Sequence, residues 1–330
     1  MPAKSRMPTS WSRRSLLVAL AAGSVTALSG CRVQREEGDP RVALTPTRVS
    51  MKDEKALLAV LGRTVSLTSL TKAVGGAPNS VTRRLGAVHA TQVEVIASLL
   101  RDGGVPESLI DAARSANPTA PAASAPASAS TSTSPTRLSP TRAAALSAAE
   151  HSSMSDVVPD SLSRAHIALI GSLLAQRTAA VALIGGRAAH AVPSGLKGAE
   201  AVRLLAAARA SVYGFEIVAA QIDNSGRALA MSTLASLETR TSELQTVVGS
   251  TGAPRPLGYE LPFPVTNTRS ARRLALHLLA ALLASQAAAL GPATGDRDAL
   301  AGIVQWLGST EAAACRWGAP LAAFPGLTNR

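Results

Sequence analysis

From Lys52 onward apolar residues recur at three- and four-residue spacing, and no stretch of any length alternates apolar and polar positions, so the pattern predicts an all-α protein. Leu57, Leu58, Leu61 and Val65 mark a helix that begins near Lys52 and stops at Gly75-Gly76. Asn79 is placed to cap a second helix, running to about Arg101, whose stripe is Val81, Leu85, Val88, Gln92, Val95 and Leu99. Gly103-Gly104 ends that helix, and a short helical piece covers 107–115. Helices resume over 142–151 and 161–184, with Asp160 or Ser161 as the second cap and Gly185-Gly186 as its terminator.

Four longer helices follow. The first, about 195–222, carries Val202, Leu205, Ala208, Val212, Phe215, Ala219 and Ile222 on one face. The second, about 227–248, repeats Ala230, Leu234, Leu237, Thr241, Leu244 and Val248 in a near heptad that suits shallow-angle packing. The third runs over 267–290 through Leu274, Leu278 and Leu282, with Thr266 or Thr268 as its cap, and the fourth starts at Asp296 and passes Ile303 and Leu307 toward Trp317. Short connections on two sides favour antiparallel neighbours, whereas 249–265 is a longer crossing, so this region reads as a four-helix bundle. Every aromatic residue except Trp11 lies here, which predicts the better specified core in this half.

Composition separates these helices from two other kinds of sequence. Residues 116–140 are almost wholly Ala, Pro, Ser and Thr, with Arg137 the one charge before the next helix, and such a segment buries too little apolar area to offset chain entropy. It reads as a disordered linker and, in an exported protein, as a substrate for O-glycosylation. Residues 1–30 read as an export signal: Lys4, Arg6, Arg13 and Arg14 precede an apolar run from Leu16 to Ser29 that is too short for an ordinary spanning helix. Arg13 and Arg14 resemble a twin-arginine motif, and Leu28-Ser29-Gly30-Cys31 resembles a bacterial lipobox. The lipobox places a diacylglycerol thioether on Cys31 as the first mature residue. No further hydrophobic span is expected after it. The resulting plan is a signal peptide (1–30), a polar tether (31–50), a helical unit interrupted by the linker (51–192) and the bundle (193–330).

Charge narrows the partners. The precursor carries a formal +12, and loss of the leader's four basic residues leaves +8, a balance that favours anionic lipid headgroups, acidic glycans or an envelope protein. The basic residues are scattered and not interleaved with aromatics, so nucleic acid is excluded as an expectation. With Cys31 committed to lipid, Cys315 has no disulfide partner within the chain, and its setting among Ala312, Ala313, Ala314 and Trp317 reads as a buried thiol.

Three segments carry a family likeness. Val212-Tyr213-Gly214-Phe215, the run Tyr259-Glu260-Leu261-Pro262-Phe263-Pro264-Val265-Thr266, and Ala323-Phe324-Pro325-Gly326-Leu327 resemble a bacterial ferritin-like domain of unknown function over roughly 193–328. Tyr213, Pro262, Phe263, Pro264, Phe324 and Pro325 are its motif residues here. The resemblance implies a ferritin-like four-helix fold and no particular reaction. A carboxylate-bridged metal site would need Glu-x-x-His turns, and none occurs in the chain. Family members often carry a Glu-His pair before the Val-Tyr-Gly segment, and here those positions are Ala208 and Arg209. His277 and Glu216 lie where they could face inward. Glu238, Arg240 and Glu243 suit solvent-exposed ion pairs.

In the first unit His89, Glu150, His151, His166 and Gln176 are the residues from which a site could be assembled, with His89, Glu150 and His166 the candidate metal ligands. Phosphate-loop, dinucleotide and nucleophile-elbow signatures are missing from the sequence. The expectation is therefore a non-catalytic binding or scaffolding module without a cofactor, lipid-anchored on the outer face of the cell membrane. The alternative is an atypical ferritin-like metal-dependent oxidoreductase or metal-binding protein.

Overall fold

The computed structural model describes residues 48–116, 140–155, 162–187, 190–249, 254 and 256–327. Arg13, Arg14, Cys31, almost all of the tether and nearly all of the Ala/Pro/Ser/Thr segment lie outside the described residues. Within them the protein is all-α, with no strand. The helices are α1 (Glu54–Val74), α2 (Val81–Asp102), α3 (Glu107–Ser115), α4 (Pro140–Ser155), α5 (Arg164–Leu183), α6 (Gly198–Gln221), α7 (Asn224–Val248), α8 (Thr268–Leu290) and α9 (Arg297–Arg316).

Local chemistry sets the helix starts, in places one to three residues from where the sequence pattern puts them. Ser80, one residue past Asn79, caps α2 by accepting the Arg83 N–H at 3.3 Å. Asp223 accepts the Gly226 N–H at 3.0 Å and so starts α7 at Asn224, earlier than the apolar pattern begins. At α8 the cap is Asn267 and not a threonine: its side chain accepts the Ser270 N–H at 3.0 Å, and the Ser270 hydroxyl accepts the Asn267 N–H at 3.1 Å. Thr268 instead accepts the Asp223 N–H at 3.1 Å, fastening the α6–α7 turn to the start of α8.

Residues Ser50–Arg330 form one compact unit. Its principal apolar core runs from Leu57 and Ile96 through Ile170 and Leu174 to Phe215, Leu282, Trp306 and Phe324, so the core is continuous across the boundary expected at residue 192. The joint is α5. This helix is buried on nearly every side and makes its most extensive pairing with α9, the last helix among the described residues. Glycine permits the approach: a methyl group at Gly308 would come within 2.5 Å of the Ala175 carbonyl oxygen, and one at Gly171 within 2.8 Å of the Leu290 side chain. Beyond that joint, α6 packs on α7 and α8, and α8 on α9, while α1 packs on α2 and α4 on α5.

Contrary to the expectation of no hydrophobic span after the leader, α1, α5 and α8 are long and apolar enough to cross a membrane. Their packing gives the apolarity another use. In α5 72% of the most apolar window is buried inside the unit, against 50% in α8 and 39% in α1. Apolar side chains all round a helix are what an interior position between two layers demands.

Candidate functional site

Four helices of the first half, α1, α2, α4 and α5, enclose a polar cluster. His89 on α2 and Glu150 on α4 are both fully buried, with His89 Nε2 at 3.1 Å from Glu150 Oε1. The contact is an ion-pair distance without hydrogen-bond alignment, so neither group takes a hydrogen bond from the described residues. Arg177 on α5, 1% exposed, completes the group. Its guanidinium donates to the Ser153 hydroxyl on α4 and, at 2.8 Å, to the Thr64 hydroxyl on α1. Burial pushes Arg177 down to about 10; the Glu150 charge pulls it back up and Arg63 adds to the lowering. A guanidinium that remains charged at neutral pH therefore sits in the helix core with a carboxylate as its counter-charge.

One turn along α2, Gln92 donates to Gln176 on α5 at 3.0 Å and to the Ala323 carbonyl at 2.7 Å. Ser172 donates to the Pro325 carbonyl at 2.7 Å. The Ala323-Phe324-Pro325 motif residues thus latch the chain's end onto α2 and α5, with Phe324 buried in the core. Gly326 continues the latch at φ +74°, where a methyl group would fall 2.2 Å from the Leu283 carbonyl oxygen. Glu311, 2% exposed, accepts the Ala322 N–H at 2.7 Å and holds the same segment from α9. Burial pushes its carboxyl up to about 7, with that N–H and the Cys315 thiol pulling it down. Burial, then the Glu311 charge, pushes the Cys315 thiol up to about 12, so it is an inert small apolar group in a free, buried cysteine.

His166, expected as a third ligand, lies elsewhere. Its Nδ1 is 2.8 Å from Asp53 Oδ2, and Asp53 also accepts the Ser163 N–H at 3.0 Å and the Ser163 hydroxyl. Asp53 precedes α1 at φ 64° and caps α5 from outside it. Burial acts to raise its carboxyl, but the bonds from Ser163 and His166 outweigh that and hold it below the usual range. His151 is exposed on α4. Among the described residues no three His, Cys, Asp or Glu side chains converge as metal ligands. His89 and Glu150 supply two donors, short of a four-ligand set, and Arg177 already supplies the positive charge beside the carboxylate.

In the second half His277 and Glu216 are exposed instead of facing inward. Where the resemblance has a Glu-His pair, Ala208 is buried in the core and Arg209 reaches across to Gln245 on α7. Arg240 departs from its expected solvent-exposed setting: it is buried to 9% exposure, donates to the Ala191 carbonyl at 2.9 Å and lies 3.4 Å from Glu243. Between α7 and α9 a groove of about 210 Å³ has Leu237, Leu279, Trp306 and Arg316 among its lining residues. Trp317 Nε1 donates to Thr233 at 3.1 Å, tying α9 to α7.

Arg177 and Glu311 are the residues that sequence reasoning missed. Each had a signal, since a lone ionisable side chain in an otherwise apolar helical run needs a buried partner.

Residues 201–329 match the family described as a domain of unknown function (DUF4439), a stretch that begins inside α6 and takes in α7, α8, α9 and the latch. No curated protein and no solved structure matches the chain.

Proposed function

We propose that this protein is an exported, lipid-anchored envelope component that works as a binding or scaffolding module through its outer faces, on a ferritin-like bundle. The observation that carries the reading is the enclosure of the ionisable cluster. His89, Glu150 and Arg177 are each no more than 1% exposed, and the Arg177 guanidinium is the counter-charge of the Glu150 carboxylate, so among the described residues the cluster is shielded from solvent. The leader supports the location: a basic start, a short apolar run and a small residue before Cys31 suit acylation of that thiol. The twin-arginine pair supports export across the cytoplasmic membrane.

The test is fractionation of cells expressing the native protein and Cys31→Ser, with crosslinking of the membrane fraction. The expected result is membrane-bound native protein carrying a discrete crosslinked partner, and release or mobility change of the variant. Identical membrane retention and gel mobility of the two would overturn the anchor.

A second reading, a metal-dependent oxidoreductase of atypical ferritin-like type, rests on the 3.1 Å approach of His89 to Glu150. Stoichiometric iron or manganese in protein purified after export, lost in His89→Ala, would establish it over the first.

A further inference from the structure

The motif segment Leu261-Pro262-Phe263-Pro264 and the start of α8 build an outer face of unusual composition. Tyr213, Tyr259 and Phe263 are the half-buried aromatics of the compact unit, whereas Phe215, Trp306, Trp317 and Phe324 are buried. The two tyrosines lie 5.6 Å apart, ring to ring. Arg273 stands 4.2 Å over the Phe263 ring, and His277 meets that ring edge-on at 6.2 Å. Arg269 and Arg272, also exposed, extend the row along α8, and Arg227 stands exposed at the start of α7, whose cap Asp223 is fastened to Thr268. No acidic residue occurs between Glu260 and Asp296, and Asp223 lies near Arg272. Leu257, at the head of the segment, is wholly exposed at 108%.

The contrast with α2 and α3 is one of sign. There Arg101 pairs with Glu107, and Arg114 lies near Glu94, Glu107 and Asp111, so the charges cancel locally.

We infer that the face formed by Leu257–Phe263 and Arg269–Arg273 rests on an anionic bilayer surface, the membrane that holds the Cys31 lipid. This inference rests on the lipid-anchor reading. Exposed arginines supply attraction to anionic headgroups, half-buried tyrosines and phenylalanine suit the headgroup boundary, and an exposed leucine supplies a small apolar insertion. The tether of residues 31–50 reaches at most about 70 Å when fully extended. That confinement raises the effective concentration of the bilayer around the body, so a weak surface contact is enough to orient it.

The experiment reconstitutes the full mature lipoprotein on vesicles of neutral phosphatidylcholine and on vesicles containing phosphatidylglycerol, and measures flotation and amide hydrogen exchange. Both populations float, and on the anionic vesicles amides of 256–273 exchange roughly tenfold more slowly, a difference removed by high salt. The variant R269Q/R272Q/R273Q floats with both and shows equal exchange on the two, with its unfolding temperature as the check on folding. Equal exchange of the native protein on the two vesicle types, or protection that requires an added acidic glycan or protein, would overturn the inference. Flotation with anionic vesicles alone would remove the anchor and keep the face; flotation with neither would remove both.

Discussion

The two halves of the compact unit are both bundles of four long helices, yet only the first gathers its buried polar side chains into one cluster. Between α1, α2, α4 and α5 lie a histidine, a glutamate, an arginine and two glutamines, whereas α6 to α9 close mainly over Phe215, Trp306, leucines and alanines, with Arg240, Gln286 and Glu311 buried singly among them. Helical periodicity alone does not distinguish them, because a buried arginine occupies the same stripe position as a leucine. The difference lies in what happens when one side chain is lost. An apolar interior loses contact area and gains a cavity, while a charged one keeps an orphaned ion that must be desolvated without a partner. Polar centres therefore specify one arrangement of their helices more strictly than they stabilise it.

The strongest way to break the comparison is Arg177→Ala, which strands Glu150 and should destabilise the protein by about 4 kcal/mol, measured by urea unfolding. Replacing the cluster together, as His89→Leu, Glu150→Leu and Arg177→Met, should leave stability within about 1 kcal/mol of native. A triple variant as unstable as Arg177→Ala would mean that the charges stabilise the fold outright.

Glu311 gives a pH-dependent contrast. Its carboxyl is pushed up to about 7 in the folded chain from an ordinary 4.5, so the folded state holds the proton more tightly than the unfolded one. That contribution is complete below about pH 4.5 and is lost as the pH rises through 7, up to about 3 kcal/mol. Glu311→Gln should remove this component, so the gap in unfolding temperature between native and variant should change from pH 5 to pH 8. A constant gap would contradict the linkage.

Gly326→Ala tests the latch that joins the halves. It combines a left-handed backbone with a 2.2 Å approach to the Leu283 carbonyl, and about 2–3 kcal/mol of destabilisation is expected, with faster amide exchange in 322–327. The smallest effect belongs to Trp317→Phe, which keeps most of the ring and loses the bond to Thr233, for about 1 kcal/mol. Calorimetry resolves a change of that size.

The helices themselves were legible in the sequence because glycine pairs punctuate them and leucines mark their stripes. Residues 107–115, read as a helix from composition and spacing, are the span of α3. Three things were not legible, each for a physical reason. The partner of α5 was hidden because a helix buried all round has no polar face to say which side points where. The distance between His89 and Glu150 was hidden even though chemistry makes both candidates for one site: they meet at 3.1 Å across sixty-one positions and the low-complexity segment, so no spacing rule fixes the contact. His166 stands apart from them because its partner, Asp53, sits before α1 in a left-handed backbone conformation that periodicity does not register.

The marriage of α5 to α9 also sets a timetable. A ribosome delivers α5 well over a hundred residues before the helix that covers its far side, and the contacts linking them are among the most distant in the chain. Local helices form quickly, but this closure waits for α9. The newborn protein must therefore carry an uncovered oily rod until α9 emerges, and a chain cut short before α9 is left with a sticky surface where the folded unit has an interior.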